Sequence, residues 1–86
     1  MKVIVIDDDS LVTISLKTIL EASGLEVAGI GNDGSEALDL YEKHTPDVML
    51  MDIRMEKMTG LEGAEQVLTK HPEAKILFLT TFTDDD

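Results

Sequence analysis

Residues 3–10 read Val-Ile-Val-Ile-Asp-Asp-Asp-Ser. Four consecutive β-branched residues have no polar face to offer water, so Val3–Ile6 reads as a strand buried on both sides. Strands of that kind belong to parallel sheets covered by helices on both faces. The acidic triplet after the strand is unfavourable by itself. Three adjacent carboxylates repel, so either water solvates them on an outward turn or a positive charge sits among them.

Working outward, short apolar runs alternate with amphipathic segments. From Leu11 to Ser23, the residues Val12, Leu16, Ile19 and Leu20 share a helical stripe, and Gly24 is placed to stop that helix. Leu25–Ile30 is a weaker second strand. Ser35–His44 reads as a helix with Ala37, Leu38 and Tyr41 on one face, closed by Pro46. Val48–Met51 is a third strand and ends at Asp52. Leu61, Ala64 and Leu68 mark a third helix that Pro72 stops, and Ile76–Leu79 is a fourth strand ending in Thr80. The order β-α-β-α-β-α-β predicts an α/β fold, a doubly wound parallel sheet. No repeat, linker or low-complexity segment interrupts it. The final Thr-Thr-Phe-Thr-Asp-Asp-Asp resembles the cap and acidic first turn of a further helix, so the expectation is an incomplete domain.

The chain has 86 residues, one small domain at most. It has no cysteine, hence no disulfide and no thiolate chemistry. Eighteen acidic residues against seven basic give a formal net charge of −11, which repels phosphate backbones and anionic lipid. Direct nucleic-acid binding by this segment is therefore not expected. Its apolar runs are too short for a signal peptide core or for the ~18 residues of a membrane span. The expectation is a soluble cytoplasmic protein.

Ligands of open parallel sheets bind beyond the carboxyl ends of the strands. Here those ends carry Asp7, Asp8 and Asp9, then Asp52, then Thr80 and Thr81. If the first and third strands are neighbours, Asp7, Asp8 and Asp52 converge. A hard divalent cation such as Mg²⁺, which takes oxygen ligands, would relieve their repulsion. A carboxylate so placed can also attack phosphorus to give an aspartyl phosphate. Each piece has a plainer reading. An acidic triplet before a helix is an N-cap, and an apolar strand ending in Asp or Thr is commonplace. The weight lies in all three sitting at one end of successive parallel strands.

On "VIVIDDDS", "GNDGSEAL", "PDVMLMDIRMEKMTG" and "KILFLTTF", the sequence resembles the receiver domain of two-component response regulators. The wording is most like the subgroup that carries a C-terminal helix-turn-helix DNA-binding domain. The resemblance covers about the first two-thirds of a receiver, so residues 1–86 are expected to be the N-terminal part of one. It implies a flavodoxin-like sheet of four strands in the order 2-1-3-4 with three helices. It implies Asp52 as phosphoacceptor, Asp8 as direct Mg²⁺ ligand and Asp7 acting through a metal-bound water. Arg54 would lend its backbone carbonyl to the metal, Thr80 would contact the phosphoryl group as a switch, and Thr81 would tune access. Asp9 matches no such role and reads as a helix-start residue. Implied partners are a sensor histidine kinase and, through a further domain, DNA.

Two departures from the pattern stand out. Glu56 occupies a position where the loop usually has proline. The fifth strand, with its phosphoryl-pairing lysine, lies beyond the sequence. The expectations are that this segment is phosphorylated poorly, and that its fourth strand forms an apolar edge through which it self-associates.

Three rival readings compete with this one, and the plainest is a non-enzymatic acidic α/β fragment with an incidental cation site. Gly29, Gly31 and Gly34 match G-x-G-x-x-G, a dinucleotide-binding pattern, although Asp33-Gly34 is also ordinary turn chemistry. A haloacid-dehalogenase-like phosphatase would use Asp7 as nucleophile and Asp9 in its D-x-D motif, but would leave Asp52 without a task. Both histidines, His44 and His71, read as solvent-facing or as partners of helix C-termini. Met55 and Met58 are candidates for the rim of the site.

Overall fold

A computed structural model describes residues 1–53 and 60–79. The elements are β1 (Lys2–Ile6), α1 (Ser10–Ala22), β2 (Glu26–Gly31), a 3-10 turn (Gly34–Glu36) running into α2 (Ala37–His44), β3 (Val48–Asp52), α3 (Gly60–Lys70) and β4 (Ile76–Leu79). All strand pairs are parallel and lie in the order β2-β1-β3-β4. This is the flavodoxin-like arrangement the resemblance implies.

Register turns the apolar runs into two faces. Ile4 lies level with Met49, and Ile6 lies level with Gly31 and Met51. These side chains are fully buried and pack with Ala37 and Tyr41 of α2 and with Ala64 and Val67 of α3. Burying each such large side chain stabilises the fold by about 1.5–3 kcal/mol. The alternate residues Val3 and Val5 turn to the other face, where α1 runs along β1 and β2.

The helix ends obey local chemistry. Asp9 caps α1 by accepting the Leu11 N–H at 2.9 Å. The helix closes in a Schellman motif: Gly24, at φ 91°, donates to the Glu21 carbonyl, and Leu25 donates to that of Leu20. Asp33 caps the 3-10 turn through the Ser35 N–H at 2.7 Å, so Asp33-Gly34 is indeed turn chemistry. α2 ends on Thr45, a β-branched residue held at φ 41°.

Two helix faces differ from expectation. In α1 the stripe centres on Val12, Thr13, Leu16 and Leu20. Ile19 falls on its rim and is exposed. In α3 the buried residues are Gly63, Ala64 and Val67, while Leu61 and Leu68 are exposed. The cause is close approach. A Cβ added at Gly63 would sit 2.7 Å from the Gly34 carbonyl oxygen, so a small residue faces the neighbouring turn, while Leu61 and Leu68 line an open groove with Phe78 of β4.

Candidate functional site

β1 and β3 are neighbours, and the helices after them leave toward opposite faces of the sheet. That makes a crevice at their carboxyl ends, the position where open α/β sheets bind ligands. The Asp7 N–H donates to the Gly31 carbonyl at 3.1 Å and extends the β1–β2 ladder by one residue. Asp7 is thereby drawn in and is 1% exposed. Asp52 is the last residue of β3, lies level with Leu79 of β4, and is 5% exposed. Asp8 is exposed at the mouth. One carboxylate oxygen from each of Asp7, Asp8 and Asp52 lies within 4.8 Å of the others. The convergence expected from sequence is present.

Asp7 is the stressed member. Burial pushes its carboxyl up to about 6; the Asp9 N–H pulls it back, and the charges of Asp52, Asp8 and Asp9 push it further up. Its Oδ1 accepts that N–H at 2.9 Å, while its Oδ2 is buried with no hydrogen-bond partner among the described residues. A buried carboxylate oxygen without a hydrogen-bond donor, on a member of a carboxylate cluster, is what a cation would satisfy. The donor set is all oxygen, which fits a hard ion such as Mg²⁺ and not a thiolate- or imidazole-seeking metal.

Arg54, Thr80 and Thr81, the remaining expected site residues, lie outside the described residues, as do Met55, Glu56 and Met58. The way Asp7 is held is a feature the sequence expectations lack. Asp7 accepts from the residue two positions on, and Asp9 does the same with Leu11. Two successive Asx turns are readable from an Asp-x-Asp spacing before a helix.

The glycine pattern has a packing explanation instead of a cofactor one. A Cβ at Gly31 would lie 2.9 Å from Leu40, and one at Gly29 would lie 3.2 Å from the His44 ring. These glycines let α2 pack closely on β2, and nothing in the structure adds support to the dinucleotide reading, which is set aside. The phosphatase reading also loses its basis. Asp7 is buried with one oxygen tied to backbone, and Asp52 belongs to the cluster instead of standing apart. The histidines are less exposed than expected. His44 is half-buried over Gly29, and His71 pairs with Glu42 at 3.0 Å and lies 4.8 Å from the Tyr41 ring.

Known proteins agree with this geometry. Residues 3–86 match the response regulator receiver domain. The chain is 42% identical over 87 residues to the transcriptional regulatory protein LiaR of Bacillus subtilis, covering 100% of this chain and 41% of LiaR. The chain thus spans less than half the length of that relative. Among solved structures, the response regulator protein TrrA from Thermotoga maritima, in complex with Mg²⁺-BeF, superposes with a TM-score of 0.87 at 32% identity, covering 95% of this chain and 70% of that one. A LuxR-family two-component response regulator from Aurantimonas sp. SI85-9A1 superposes with a TM-score of 0.89 at 26% identity, covering 95% and 59%.

Proposed function

The chain belongs to the response regulator receiver family, and we propose that it works as the N-terminal part of a phosphorylation-dependent switch. In this reading Asp52 accepts a phosphoryl group from a sensor histidine kinase. Asp7, Asp8 and Asp52, with the Arg54 backbone carbonyl, hold Mg²⁺. The observation that carries the reading is the meeting of Asp7, Asp8 and Asp52 carboxylates within 4.8 Å, with the Asp7 Oδ2 buried and without a partner among the described residues. TrrA's solved complex with Mg²⁺-BeF lends support by analogy.

The chemistry asks one thing of each residue. An Asp52 oxygen attacks phosphorus as the bond from phosphorus to the donor imidazole breaks, leaving an acyl phosphate on Asp52 and the electron pair on the donor. Bound Mg²⁺ supplies positive charge that offsets the repulsion between the carboxylate and the phosphoryl oxygens. Asp7 and Asp8 hold that charge beside Asp52. Thr80 then hydrogen-bonds a phosphoryl oxygen and moves with it. The protein is a signalling domain, and its only turnover is gain and loss of its own phosphoryl group.

The longer protein would regulate transcription through a separate DNA-binding domain, in the cytoplasm. The charge of −11 supports leaving DNA contact to that other domain. Among the described residues no helix is long and apolar enough to cross a membrane. Self-association is also part of the proposal. β4 is an edge strand, and Leu77 and Phe78, on opposite faces of it, are 58% and 39% exposed.

Incubation with a small phosphodonor, and then intact-mass measurement, tests the switch. Wild type should gain a phosphoryl group slowly and in part, and only when Mg²⁺ is present, and Asp52→Asn should gain none. A phosphoprotein that survives Asp52→Asn would overturn the assignment and return Asp7 as nucleophile.

A further inference from the structure

We infer that Asp9 is a positioning residue for the cation site, acting through its backbone N–H and not through its charge. The inference rests on the switch reading above and extends it to a residue which that reading does not use.

Three hydrogen bonds fix Asp9 in place. Its side chain accepts the Leu11 N–H at 2.9 Å, its carbonyl accepts the Thr13 N–H at 3.1 Å, and its own N–H donates to Asp7 Oδ1 at 2.9 Å. Thr13 is itself buried, and its hydroxyl donates to the Ser10 carbonyl at 2.9 Å, which locks the first turn of α1. The backbone at Asp9 is extended, φ −97° and ψ 110°, so its N–H points away from the helix and back toward β1. The side-chain cap holds that conformation. The N–H then occupies one oxygen of Asp7, and the other is buried without a partner among the described residues.

A carboxylate with one oxygen pinned cannot rotate to share a proton or a hydrogen bond elsewhere. It is held in one orientation within the cluster it forms with Asp8 and Asp52. Partners of this kind, behind a metal ligand, typically change metal affinity by about 10–100-fold when removed. A plain N-cap would stabilise α1 and leave the cation site unchanged. An Asp9 that acted by its charge would depend on the carboxylate and not on the cap.

Four variants separate these roles. Mg²⁺ affinity is measured calorimetrically, with the Asp9 amide followed by NMR. Asp9→Asn keeps the cap and loses the charge; it should bind Mg²⁺ within about threefold of wild type, with Asp9 N–H still protected from exchange. Asp9→Glu keeps the charge and loses the cap, and Asp9→Ala loses both. Each should bind about tenfold more weakly and lose that protection. Thr18→Gly weakens α1 on its exposed face and should leave affinity unchanged. Wild-type affinity in Asp9→Ala would overturn the inference. So would equal losses in Asp9→Asn and Asp9→Ala, which would indicate charge, or a matching loss in Thr18→Gly, which would indicate helix stability. Absence of Mg²⁺ binding by wild type would refute the switch reading and this inference together. Binding by wild type that is indifferent to Asp9 refutes this inference alone.

Discussion

Replacing Asp7 by asparagine should stabilise the cation-free protein, although it removes a residue on which function depends. The ionised carboxylate is buried, lies near the charges of Asp52 and Asp8, and has one oxygen with no partner among the described residues. Its carboxyl is pushed up to about 6 from the ordinary 3.8 of an unfolded chain. A group whose folded value is raised gives its full stabilisation below the unfolded value and loses it as pH climbs through the folded one. Stability should therefore fall between about pH 4 and pH 6 and then level off, by about 2–3 kcal/mol.

D7N does not ionise, keeps an acceptor for the Asp9 N–H, and can donate its amide to a neighbouring carboxylate. In urea near pH 8 without divalent cations, its midpoint should lie about 2 M above wild type, taking a slope near 1 kcal/mol per M for a chain this small. Near pH 4 the gap should shrink below about 1 kcal/mol, because wild type is then protonated too. Mg²⁺ near pH 8 should raise wild type and leave D7N almost unmoved, through mass action on the folded state. Coincident midpoints near pH 8 without cation would refute the reasoning, and so would a gap that persists to pH 4.

The packing leads to three further outcomes. Gly63→Ala should lower stability by about 1–3 kcal/mol in thermal or urea melts, because its Cβ would meet the Gly34 carbonyl at 2.7 Å and outweigh the better helix propensity. Thr45→Gly should raise stability by about 0.5–1 kcal/mol in the same melts, since it relieves a β-branched residue at φ 41°. Sedimentation should find wild type associating with rising concentration, and Leu77→Lys, a charge on the exposed edge of β4, should hold it monomeric.

How much of this was legible in the sequence depends on the range of the physics involved. The first strand was, because a strand covered on both faces must be apolar throughout, and Val3–Ile6 is; Ile76–Leu79 is as apolar and forms a strand too, although Leu77 and Phe78 are exposed. The helix ends were too, since Gly24 and Asp33 act on groups within a few residues of themselves. The buried faces were read less well, because a sequence reading weights large apolar residues. α3 approaches the Gly34 turn so closely that Gly63 and Ala64 face inward and Leu61 and Leu68 do not. Size counts against burial where backbones nearly touch.

The site depended on a longer-range fact still. Asp7 meets Asp52 only because β1 lies beside β3, and nothing in either segment says so; the family resemblance supplied the strand order. Nor does the triplet show which aspartate is which. The three residues are chemically identical, yet Asp7 is 1% exposed while Asp8 and Asp9 face solvent. The difference arises from one backbone hydrogen bond to Gly31, which carries the sheet one residue further, and from the start of α1, which takes Asp9. A single fold boundary thus gives three equal charges three tasks. One is buried and oriented, one is left at the mouth, and one is spent on the helix that does the orienting.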